Sequence, residues 1–177
     1  LIELIDQSED SVINLDINKC LPHISLAMGV LDLTNFDQAK VIVKDLAKAY
    51  SPLQLEINTL NTFEAPNKEK INEALVNNNQ VLEMLHKDAM KNFEQILSHD
   101  NVSVDKFFSP PDVDPVSCYW VEHYYDKRDN EGFRPHLTLN QGTLNELIEP
   151  ITFTANRLAL CHLGSYCTCR EILFEKT

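Results

Sequence analysis

Two pentapeptides in this chain carry one pattern. Pro22-His23-Ile24-Ser25-Leu26 is matched by Pro135-His136-Leu137-Thr138-Leu139, with the two histidines 113 residues apart. A hydroxyl two residues after a histidine is common by chance. A proline before both histidines and aliphatics at the same two places make coincidence a poor explanation. On an extended chain, residues i and i+2 point to one face. Each copy therefore sets an imidazole beside a hydroxyl and turns its aliphatics the other way, into a core. Such a set suits phosphodiester chemistry. A neutral histidine takes a proton from the attacking water or hydroxyl, and a protonated one gives a proton to the leaving oxygen. The Ser25 and Thr138 hydroxyls can donate to the non-bridging phosphate oxygens. The scheme needs neither a metal nor another cofactor. The two copies are alike, so His23 and His136 are both open to either role.

Two extended segments must carry these groups to one groove. Residues 11–33 read as mostly strand-like, with Ile24, Leu26 and Met28 alternating against His23, Ser25 and Ala27. Thr34 suits an N-cap, and Phe36, Ala39, Ile42, Val43, Leu46, Ala47 and Tyr50 form a helical stripe that Ser51-Pro52 ends. Residues 53–63 alternate as a strand. After Pro66, a helical pattern runs from Leu75 through Ile96, with Asn77-Asn78-Asn79 as a possible break into two helices. Residues 101–114, holding Pro110-Pro111, read as a loop. Val116, Tyr119, Trp120, His123 and Tyr124 repeat as a short amphipathic helix, although these aromatics also suit a strand. Residues 127–132 read as a charged loop and 135–140 as a strand ended by Gly142. Residues 144–148 read as a short helix or turn, and 151–154, 157–163 and 168–175 as strands, with Gly164-Ser165 turning a terminal hairpin. The order predicts an α+β fold with two similar halves.

Length and charge bound what the groove can hold. The chain has 177 residues, 15 Lys+Arg against 27 Asp+Glu, and a net charge of −12. That length fits one domain or two small lobes sharing an interface. The acidity argues against long nucleic acid, whose phosphates call for a basic face, and leaves a small phosphate ester compatible. The groove must then supply its own positive potential, from a protonated histidine and from Arg134 or Arg170. No apolar run reaches the roughly 18 residues of a membrane span. Residues 1–10 lack the basic and apolar regions of a signal peptide. Cys20, Cys118, Cys161, Cys167 and Cys169 are odd in number and without framework spacing, which predicts free thiols in a reducing cytoplasm. Cys161, Cys167 and Cys169 fit no standard zinc spacing. Tyr119, Trp120, Tyr124 and Tyr125 read as packing residues before they read as a base-stacking platform, and His86, His99, His123 and His162 have no matched partners.

The paired motifs His23-Ile24-Ser25-Leu26 and His136-Leu137-Thr138-Leu139, with Leu85-His86 on the helix between them and the closing strands around 158–164, resemble the 2H phosphoesterase superfamily. That group includes the 2′-5′ RNA ligase-like proteins and the cyclic nucleotide phosphodiesterases. The likeness covers about residues 14–174. It implies a single bilobal α+β domain over residues 1–177, with two pseudo-symmetric antiparallel sheets, outer helices and a central groove. It also implies His23 and His136 as the catalytic pair, Ser25 and Thr138 on the phosphate, and hydrolysis of a small cyclic or 2′-5′-linked nucleotide without metal. Arg134, Tyr166 and Arg170 are the further candidates for substrate contact. Where many RNA-processing members carry a basic residue after the second motif, this chain has Asn140 and Gln141. Alternatives are a 2′-5′ RNA ligase, a cyclic phosphodiesterase acting on RNA ends or tRNA fragments, and a module that binds a cyclic nucleotide without turning it over. A cytoplasmic monomer is expected.

Overall fold

The computed structural model describes residues 13, 15, 20–108, 113–140 and 149–177. Among them the chain forms strands β1 (Val30–Leu31), β2 (Leu53–Glu64), β3 (Lys70–Val76), β4 (Leu97–Ser98), β5 (His136–Thr138), β6 (Ile151–Ala155), β7 (Leu158–Leu163) and β8 (Cys169–Lys176). The helices are α1 (Phe36–Tyr50), α2 (Gln80–Phe93), α3 (Val116–Glu122) and α4 (Tyr124–Glu131). This is an α+β architecture. A four-stranded sheet has the order β5-β3-β2-β6, and two-stranded sheets pair β1 with β4 and β7 with β8. Every strand pairing among the described residues is antiparallel. No helix among the described residues is long and apolar enough to cross a membrane.

The four-stranded sheet has two unlike faces because alternate residues on β3 and β5 differ in kind. Leu137, Ala74 and Val76 pack with Leu55 and Ile57 against Val43 and Leu46 of α1 and Leu82, Leu85 and Ala89 of α2. Burying each such aliphatic is worth about 1.5–3 kcal/mol, so this core holds the helices to one side. On the other side the register sets Thr138 opposite Glu73 and His136 opposite Leu75, while Glu73 lies opposite Asn61 and Ile71 opposite Phe63. Directly opposite residues share a face. The second motif therefore looks away from the helices, across a row of polar and aromatic side chains.

Several expectations change. Leu75, which opens the expected helical pattern, lies in the strand β3 instead. The three asparagines divide strand from helix, and the Asn79 side chain caps α2 by accepting from Leu82 N at 2.9 Å. Thr34 is not the cap of α1. It lies in a 3-10 turn, Leu33–Asn35, whose own cap is Asp32. Residues 22–29 keep the alternation of the first motif but join no strand, and Leu21 just before them pairs through a bridge to Cys169. Residues 127–131 are helical in α4, not a loop. Cys161 and Cys169 form a disulfide across β7 and β8, leaving Cys20, Cys118 and Cys167 free. The thiol count that pointed to a reducing cytoplasm no longer does so once that bond is made. The start of the first strand-like stretch, the Pro110-Pro111 loop, the turn at Gly142, the position of Gln141 and the short helix over 144–148 lie outside the described residues.

Candidate functional site

His23, Ser25, His136 and Thr138 line one cavity of about 470 Å3. Distant in sequence, the two motifs reach it by different routes. β5 carries the second as the edge strand of the four-stranded sheet. The first is anchored at its start by Leu21, whose N–H donates to Cys169 O at 3.1 Å. It is held again at Ser25, whose carbonyl accepts from the Tyr124 hydroxyl at 2.9 Å. Ile24 and Leu26 pack on the main core, which turns His23 and Ser25 to the opposite side.

Both histidines share one local geometry. His23 Nδ1 lies 2.9 Å from Leu21 O, and His136 Nδ1 lies 3.0 Å from Arg134 O. The partner is in each case the carbonyl two residues back, across the proline. Proline restricts the preceding residue to extended conformations, which presents that carbonyl to the ring. A carbonyl only accepts, so Nδ1 carries its hydrogen and Nε2 is the nitrogen that gains or loses a proton. Burial pushes the His136 imidazole down to about 4, with Arg134 and Arg128 acting in the same sense and the Arg134 carbonyl bond opposing. Burial also lowers His23, against backbone hydrogen bonds at Leu21 and Cys167. Burial thus favours two neutral imidazoles near pH 7, and a bound anion is what would favour a proton on one of them.

Beneath the motifs lies a carboxylate that sequence reasoning missed. Glu73 is fully buried. Arg134 Nη1 donates to its Oε2 at 3.1 Å, Nη2 pairs with Oε1, and Asn61 Nδ2 donates to Oε1 at 2.7 Å. Arg134 lies with Glu73 on the cavity lining, so its charge is held there by a two-pronged ion pair. Lys127 and Arg128 of α4 also line the cavity. They add two positive charges to the cavity lining. In sequence they sit in a strongly charged stretch that looks like a solvent loop.

The other candidates fall differently. Tyr166 lines the cavity, but its hydroxyl is engaged with Glu69, with Asp114 Oδ2 at 3.2 Å and with Asn67 Nδ2 at 3.1 Å. Its ring lies 6.0 Å from that of Trp120, which is 6.4 Å from Phe63, so the three form an aromatic wall. Tyr166 and Cys167 both have positive φ, 57° and 54°. Such backbone is strained for residues other than glycine. The bond from Tyr166 N to the buried Ser117 Oγ at 2.8 Å helps hold it. Arg170 does not line the cavity. Its guanidinium lies 5.7 Å from the Phe108 ring centroid. Asn140, in the place of the basic residue, is buried and accepts from Asn72 Nδ2 at 2.9 Å, a sheet contact. The cysteines near His162 do not converge on it, since Cys161 and Cys169 bond to each other and His162 Nε2 lies 3.1 Å from Lys106 O.

His86 of α2 does not line the cavity but packs on Phe133 and Tyr124, which do. It is 4 % exposed, stacks on Phe133 with ring centroids 3.8 Å apart, and has its Nε2 buried without a partner among the described residues. Burial chiefly lowers it to about 4. His86 and His136 have folded values below the unfolded value near 6.5, so between pH 6.5 and 4 the unfolded chain binds more protons. Stability therefore decreases as pH is lowered through that window and is level above it. The urea midpoint is expected to drop from pH 7 to pH 5. His86→Phe, which keeps the stack, is expected to flatten part of that drop. An unchanged pH response in the variant counts against this account.

Compared with family models, curated proteins and solved structures, the chain matches none.

Proposed function

We propose that the protein is a metal-independent phosphodiesterase, a 2H-type phosphoesterase that hydrolyses a small cyclic or 2′-5′-linked nucleotide. One observation carries this reading. Two His-x-Ser/Thr motifs from opposite parts of the chain line a single cavity, each histidine held by the same bond to the carbonyl two residues back. In this reading the four-stranded sheet with β5 and the β7–β8 hairpin with residues 21–25 are the two lobes, and the cavity is the groove between them.

The proposed reaction needs no other group. One neutral histidine takes a proton from water at Nε2 as the water oxygen bonds to phosphorus. The bond from phosphorus to one ribose oxygen breaks, and the other histidine, protonated, gives that oxygen its proton. The product is a phosphate monoester with a free hydroxyl, and the pair ends with its protons exchanged. Ser25 and Thr138 donate to the non-bridging oxygens, where charge grows in the transition state. The aromatic wall offers a stacking face for a base.

Product chromatography on a panel of 2′,3′-cyclic, 3′,5′-cyclic and 2′-5′-linked nucleotides tests the reading. At least one member is expected to be cleaved, with the rate unchanged by EDTA. Stoichiometric binding with release of unchanged nucleotide would identify a binding module instead. Loss of activity in EDTA that zinc restores would replace the metal-free scheme.

A further inference from the structure

Lys127 and Arg128 line the cavity that holds both histidines, yet the proposed chemistry uses neither. Among the described residues neither forms an ion pair, whereas Glu73 pairs with Arg134. Lys127 Nζ lies 4.8 Å from the Tyr119 ring centroid, and the Arg128 guanidinium lies 5.3 Å from that of Tyr124. Ring faces attract a cation without neutralising it. Arg128 donates Nη1 to Gly132 O at 3.3 Å, and its Nε is buried with no hydrogen-bond partner among the described residues. A guanidinium has five N–H donors, more than this one carbonyl takes up.

Charge balance points the same way. In a chain of net charge −12, the cavity lining carries three cations, Lys127, Arg128 and Arg134, against the two carboxylates Glu73 and Glu131. A reacting diester has one negative charge, for which two hydroxyls and a protonated histidine are already at hand. With Arg134 paired to Glu73 and Glu131 offsetting one of the α4 cations, one positive charge is in excess of it among the described residues. The cavity volume lies in the range that encloses a whole small ligand, not one phosphate alone.

We propose that the cavity takes a nucleotide bearing a second phosphate besides the reacting diester, and that Arg128, with Lys127 beside it, binds that phosphate. The inference rests on the phosphodiesterase reading and names its substrate class. A guanidinium meets phosphate oxygens with two parallel donors. The second phosphate also offsets the Arg128 charge, which works against a proton on His136.

Three substrates test it: a nucleoside 2′,3′-cyclic phosphate, the same compound with a 5′-phosphate, and a dinucleotide ending in that cyclic phosphate. The last two separate a terminal phosphate from a bridging one. The wild type is expected to show a kcat/KM about tenfold or more higher for one of them than for the first. Arg128→Gln is expected to lower kcat/KM on that favoured substrate about tenfold more than on the first. Lys127→Gln should act in the same sense but less, and Arg128→Lys should recover part of the preference. Thermal melting reports whether each variant folds. If Arg128→Gln does not, Lys127→Gln and the loss of wild-type preference at high salt decide the matter. Equal wild-type rates on all three substrates, or variant losses equal on all three, overturn the inference and leave the phosphodiesterase reading standing. No cleavage of any of the three overturns this inference, while the phosphodiesterase reading is decided by the 3′,5′-cyclic and 2′-5′-linked members of the panel.

Discussion

Replacing His136 by Ala is expected to lower turnover of whichever nucleotide the protein cleaves by about 10²–10⁴-fold, and His23→Ala by a similar factor. In the proposed scheme both losses fall in kcat, since the imidazoles act on protons that move only in the transition state. The double variant should be little worse than either single one, because a base without an acid still leaves one half of the proton transfer unassisted. The fold should survive. Leu137 and Leu139 hold the second motif in the core, and Ile24 and Leu26 hold the first, so the histidines are not what keeps either segment in place. Circular dichroism and thermal melting of the variants provide the control. Full activity in both single variants, on every accepted substrate, would falsify the assignment. Loss in only one of them would leave a single acid or base and remove the paired scheme.

Arg134→Met should be the most damaging substitution for stability near the cavity, at about 3 kcal/mol or more. The reason is the asymmetry of its ion pair. Arg134 is 49 % exposed at the side chain and Glu73 is 1 % exposed. Removing the arginine strands a buried carboxylate whose side-chain donor among the described residues is then Asn61. Removing the glutamate instead leaves an arginine that water can still reach, so Glu73→Gln should cost less. The pH dependence has a definite sign. In Arg134→Met the folded chain disfavours ionised Glu73, so its carboxyl rises above the unfolded value. The penalty is then full at neutral pH and shrinks as pH falls through the raised value and Glu73 takes up a proton. Urea unfolding of wild type and variant at pH 7 and pH 5 measures this. A gap that stays constant or widens toward pH 5 would show that Glu73 is not the stranded charge.

Glu73 also shows where sequence reasoning stops. Leu75 falls at helical spacing from the apolar residues of α2, so it reads as part of that helix, and nothing local marks residues 70–76 as a strand. They become a strand because β2 and β5 pair with them on either side, and β5 lies more than sixty residues away in sequence. A local window sees no such partner. The α4 cations were missed for a related reason. Their stretch is too polar to show a buried face, and Tyr124, buried and bonded to Ser25 O, is what fixes the helix against the first motif. Arg170 went astray in the other direction. Its closeness to Tyr166 in sequence suggested the groove, but the turn at Gly164–Thr168 sends it over Phe108. The disulfide could not be read from spacing, since the bond depends on how β7 and β8 align across that turn.

By itself the sequence determined the chemical pair. Proline, histidine, hydroxyl and aliphatic recur in one order, and an extended chain with period two can only put histidine and hydroxyl on one side and the aliphatics on the other. That also determined the local bond at each ring, because it spans three residues. Convergence of the two motifs on one cavity, the carboxylate beneath them and the cations on its rim were decided by the tertiary structure alone. Each depends on contacts between residues far apart in the chain, and the strength of a charge there depends on its burial, which no local pattern carries.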